Sequence, residues 1–173
     1  MDCQFAGHLE NQDEVYHRHR RHIHRGMTDR LIVEGLSKIN TIQIGISVHE
    51  VDFGRMIGRN IRMETDLDGG KDEIIYAARL DNSGKPRRGL TRFVKNRRAE
   101  TTSIATFVIL NKDGKNVLLT AFIGSRAEPE PWDEQANQSS TEFWQRHALV
   151  FGHEPIDQKT ITTTCPWQTG VLT

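Results

Sequence analysis

The runs IATFVIL at 104–110 and NVLLTAFIG at 116–124, joined through NKDGK, constrain this 173-residue chain more than any other feature. Both have strand length and are rich in β-branched and aromatic residues. Asp-Gly between them suits the left-handed backbone of a tight hairpin turn. IATFVIL lacks polar alternation, so it is expected as a strand covered on both faces. Upstream, TIQIGISVHEV at 41–51 alternates, with Ile42, Ile44, Ile46 and Val48 on one face and Gln43, Gly45, Ser47 and His49 on the other. MIGRNIRM at 56–63 reads as a shorter edge-like strand, EIIYAARL at 73–80 as a strand, and DNSGKPRRG at 81–89 as a loop. No crossover helix interrupts 41–125, which points to a mainly antiparallel sheet and an α+β fold.

Helices are expected on either side. In YHRHRRHIHRG at 16–26, His19 and Ile23 continue a helical stripe from Val15, while Arg18, Arg21 and Arg25 form the opposite stripe and Gly26 can terminate the helix. A second helix should start at Thr28 and bury Leu31, Ile32, Gly35, Leu36 and Ile39. A third, at 140–151, has Ser139 or Ser140 as its cap, Glu142 in the first turn, bulky Phe143, Trp144, His147, Leu149 and Phe151, and Gly152 at its end. TITTTC at 160–165 is a possible last strand. With no repeat or linker, 1–173 reads as one domain: helical at 1–40, antiparallel sheet at 41–125, then an acidic loop, helix and strand at 126–173.

Net charge is zero, which argues against a generic nucleic-acid coat. The distribution is uneven. Residues 79–98 hold Arg79, Lys85, Arg87, Arg88, Arg92, Lys95, Arg97 and Arg98 against Asp81, whereas 126–157 are acidic. No apolar run reaches the ~20 residues of a membrane helix. The opening MDCQFAGHLENQDE lacks the basic region of a secretory signal, and Cys3 and Cys165 form no metal or redox spacing. A cytoplasmic location, no membrane partner and no disulfide framework are expected.

Histidine spacing argues against zinc. His17 and His19, like His22 and His24, are two apart, where a helical zinc pair needs four, and arginines surround them. No metal and no cofactor is expected. DLDGGKDE at 66–73 lacks the register of a calcium loop, and the glycine-rich nucleotide motifs and GxSxG are absent. Arginine forks suit phosphate oxygens, so Arg18, Arg21 and Arg25 and the 79–98 block are candidates for contacting RNA or an acidic protein. Acid–base chemistry would rest on histidine, with His49 and His147 as candidates beside the plainer readings of a strand-end and a core residue.

TTSIATFVILNKDGKNVLLTAFIGS at 101–125 resembles the C-terminal strand hairpin of the barnase–EndoU–colicin–RelE group of endoribonuclease toxin domains. In that group the second strand often carries Thr or Ser before an aromatic and a Gly or Pro, as in LTAFIG. The resemblance implies metal-independent RNA cleavage within a mobile-element or toxin system. It implies Thr120 as the hydroxyl, His49 as a general base and Arg92 or Arg97 as a phosphate binder, with His147 a further catalytic candidate on its residue type alone. The second His-Gly pattern of EndoU-type members is missing, and residues 129–152 have no counterpart there. The alternative is a non-enzymatic accessory module that binds protein or nucleic acid, favoured by the alternating charge blocks and the loop EPEPWDEQ.

Overall fold

Asp113 and Gly114 both adopt positive φ, at 53° and 74°, and this two-residue turn fixes the register of the longest hairpin in the protein. In the computed structural model, which describes residues 23, 26–66 and 70–167, the hairpin joins β7 (Ile104–Lys112) to β8 (Lys115–Ile123). The fold is α+β, with mainly antiparallel sheets and two α-helices among the described residues. The chain divides into two compact units: residues 1–60 with 101–126, and residues 61–100 with 127–173.

In the first unit β1 (Gly45–Asp52) runs antiparallel to β7, giving the order β1-β7-β8. A bulge follows Val108: Val108 pairs with Thr120 while Ile109 pairs with Leu118. Helix α1 (Asp29–Ser37) begins where Thr28 Oγ1 accepts the Leu31 N–H at 3.3 Å, the expected cap. Gly35 lets the helix sit against the Phe107 ring, where a Cβ would collide. Ile32, Leu36, Phe107, Ile109, Leu118 and Ala121 form the core. Only one face of β7 is fully covered. Phe107 and Ile109 are buried, but Val108 and Leu110 are half-buried, which corrects the expectation of a strand covered on both faces. The short strands β2 (Gly58–Asn60) and β6 (Glu100–Thr102) pair with each other.

The second unit holds a four-stranded sheet in the order β3-β9-β5-β4, from β3 (Arg62–Glu64), β4 (Ile74–Ala77), β5 (Thr91–Val94) and β9 (His147–Val150). Its β5–β9 pairing is parallel and the others are antiparallel. Helix α2 (Gln138–Arg146) starts in a capping box between Asn137 and Ser140. Ile75, Ala77, Phe93, Trp144 and Leu149 pack into its core.

Three further expectations need correction. The last helix stops at Arg146, because His147 turns extended and Ala148, Leu149 and Val150 are buried as a strand between β3 and β5. MIGRNIRM divides into β2 and β3, which lie in different sheets. TITTTC supplies a single bridge, Thr162 to Tyr76, and no strand. The proposed first helix falls outside the described residues except for Ile23, which forms a parallel bridge with Ala121.

Candidate functional site

Strand alternation puts Ser47 and His49 on one face of β1, two residues apart, and Ser47 Oγ lies 2.8 Å from His49 Nε2. His49 is half-buried and borders a groove of about 540 Å³ beside the residues that follow α1, from Lys38 to Thr41. Lys38 is the C-cap of α1, so the helix end fixes where its side chain departs. Glu50 and Asp52 also border the groove, but their carboxylates are engaged. Glu50 accepts the Arg126 N–H at 2.6 Å, and Asp52 accepts that of Gly54 at 2.8 Å. The Gly54 N–H first, then the Ser103 hydroxyl, hold the Asp52 carboxyl below its ordinary range.

A hydroxyl at hydrogen-bond distance holds the imidazole in place, and because it can donate or accept it suits either tautomer. In the tautomer whose Nε2–H donates to Ser47 Oγ, the lone pair is on Nδ1. Among the described residues no group of three His, Cys, Asp or Glu side chains could hold a metal ion.

Thr120 is on the other face of the same sheet. It pairs with Val108, which pairs with Val48, whereas His49 pairs with Phe107 and that with Ala121. His147, Arg92 and Arg97 belong to the second unit. The His147 ring stacks on Phe143, with centroids 3.9 Å apart and planes at 7°, and its Nδ1 is 2.9 Å from the Phe143 carbonyl. A carbonyl only accepts, so Nδ1 carries the proton.

Arg92 and His147 are brought together, but through the backbone. Buried Arg92 donates from Nη1 to Thr65 Oγ1 at 2.7 Å and to the His147 carbonyl at 3.1 Å. Arg97 pairs with Asp72 at 3.1 Å and Glu100 at 3.4 Å. Arg18, Arg21 and Arg25 lie outside the described residues.

No protein-family model, curated protein or solved structure matches the chain. What the site can do therefore follows from its own geometry. The 41–51 alternation puts Ser47 on the same face as His49, where its plain reading is a strand former, whereas Lys38 carries no signal in the sequence, because its place depends on how α1 meets β1.

The opposite face of β1 is unusual. Ile46 and Val48 on that face are 69% and 39% exposed, and Ile44, just before the strand, is 92% exposed, so these apolar side chains are in water. The side of the sheet bearing Phe107 has been taken by α1.

Proposed function

We propose that the chain is a metal-independent RNA-cleaving domain of the toxin-like kind, with His49 as its proton-transfer residue. The observation that carries this reading is the Ser47–His49 hydrogen bond of 2.8 Å at the border of a groove. His49 Nδ1 would take the proton from a ribose 2′-hydroxyl, whose oxygen attacks the adjacent phosphorus. The bond to the 5′-oxygen breaks, leaving a 2′,3′-cyclic phosphate and a 5′-hydroxyl, with the leaving oxygen protonated by solvent or a second acid. Lys38, which borders the same groove, would supply a cation for the non-bridging oxygens. Ser47 would act as a positioning residue, holding the imidazole in place.

The experiment is end-group analysis of RNA incubated with the protein in excess chelator. Cyclic-phosphate and 5′-hydroxyl ends are expected. Products with 5′-phosphate ends would instead mean attack by water, with His49 in another role.

A second reading is favoured by a different observation. β1 has a sheet neighbour on one side only among the described strands and exposes Ile46 and Val48, with Ile44 exposed just before it, a surface suited to docking a protein segment. Intact RNA in the first experiment, together with a loss of partner binding on I46K substitution, would favour this accessory-module reading.

A further inference from the structure

The basic block at 79–98 divides into two groups. Arg79 is committed to Glu130 and Glu154, Lys95 to Glu73, Arg97 to Asp72 and Glu100, and Arg92 to Thr65 and the His147 carbonyl. Lys85, Arg87, Arg88 and Arg98 are exposed, and among the described residues none of them forms an ion pair. Three of these four stand on one loop, residues 81–89.

That loop is built to hold its shape. Leu80 and Pro86 form an antiparallel bridge, Arg87 N–H donates to the Arg79 carbonyl at 2.8 Å, and Asp81 N–H donates to the Lys85 carbonyl at 2.8 Å. Asp81 Oδ1 accepts from Ser83 N–H at 2.8 Å, Ser83 Oγ at 2.6 Å and Lys85 N–H at 3.0 Å, so the one acid of the loop is engaged within the loop itself. At the base Gly89 lies against the Trp132 ring, where a Cβ would collide, and Leu80 N–H reaches the Pro155 carbonyl at 2.9 Å. Cations on an ordered loop lose less freedom on binding than cations on a loose one.

We propose that this loop, through Lys85, Arg87 and Arg88, is the surface on which the chain holds the phosphates of single-stranded RNA. Two guanidinium forks and an ammonium match phosphate oxygens. A protein interface needs an apolar or aromatic centre inside its polar rim, and residues 81–89 offer only Pro86. The inference rests on the reading of the chain as RNA-directed, not on the cleavage step.

The test uses the full chain and a labelled 2′-O-methyl RNA oligonucleotide, which binds like RNA but lacks the attacking hydroxyl. The variant K85Q/R87Q/R88Q leaves the Asp81 bonds in place and should melt with the parent. Its affinity should fall about tenfold or more at low salt. The log–log salt slope should become shallower by about 2, because each phosphate that a cation neutralises on a single strand adds about 0.7 to it. K112Q/K115Q, which removes exposed cations from the β7–β8 turn, should change neither. Parent-like affinity and slope in the triple variant would overturn the proposal, as would equally tight loop-dependent binding of polyglutamate. Loop-dependent binding with no cleavage of ordinary RNA would sink the catalytic reading alone and leave this surface standing.

Discussion

His49 and Thr120 occupy opposite faces of one three-stranded sheet, His49 in the row with Phe107 and Ala121, Thr120 in the row with Val48 and Val108. The hydroxyl beside the His49 imidazole is that of Ser47, at 2.8 Å, and in the proposed reaction Ser47 positions the ring. T120A should therefore leave RNA cleavage within about twofold of the parent. S47A should slow it about tenfold and displace the pH–rate profile, within the range that acid–base groups contribute. S47T, which restores a hydroxyl, should recover most of the rate. Equal effects of S47A and T120A would contradict the assignment.

Gly35 is the contact through which α1 approaches the sheet. G35A would gain about 1 kcal/mol of helix propensity, but it forces a methyl into the Phe107 ring. Overpacking of this kind costs ~1–3 kcal/mol, so a lower midpoint in urea is expected. An unchanged or higher midpoint would show that Phe107 moves aside freely.

In the second unit Glu130, 8% exposed, accepts from both Arg79 and Thr91. E130A would leave a mostly buried guanidinium without its main counter-charge, although Glu154 remains at 3.2 Å. Removing one partner of such a pair costs ~3–5 kcal/mol, and the Glu154 contact places the expected loss near the lower end. Calorimetry checks this. A loss under about 1 kcal/mol would mean that Glu154 or water compensates.

Stability should decline at both ends of the pH scale for identifiable reasons. Burial pushes the Asp72 carboxyl up. The Asp66 N–H and the Arg97 guanidinium together outweigh that and hold it below its ordinary value. Its stabilising contribution is thus present above the unfolded value of about 4 and lost as pH falls through the lower folded one. Tyr76 is pushed up to about 12, first by burial and then by the neighbouring Cys165. Its contribution is complete below about 10 and declines as pH rises toward the folded value. D72N should flatten the acid side of the stability profile and Y76F the alkaline side. An unchanged slope in either variant would mean that its residue does not govern that limb.

The parts of the fold legible in the sequence were those with strong local signals. Asp113-Gly114 announced the turn, Thr28 the cap of α1, and the 41–51 alternation the two faces of β1. What escaped depended on tertiary placement. β5 is four residues long, Thr91–Val94, all buried, and lies among basic residues, so it shows too few periods to register. His147 ends a helix because the strands beside it claim Ala148–Val150, which no residue near the helix end signals. The site shows the same division. His49 is a candidate by residue type and position alone, but the local pattern could not tell that Arg92 and Arg97 are engaged by Thr65, the His147 carbonyl, Asp72 and Glu100 while Lys85, Arg87 and Arg88 form no ion pair among the described residues.

The most direct test of His49 as the proton-transfer residue is the initial rate of RNA cleavage in excess chelator by the parent and by H49Q, at matched concentration and melting temperature. Proton transfer by a positioned side chain contributes ~10²–10⁴-fold. H49Q is expected to fall at least about a hundredfold with RNA binding retained. A parent that cleaves RNA with an H49Q variant equally fast would contradict it.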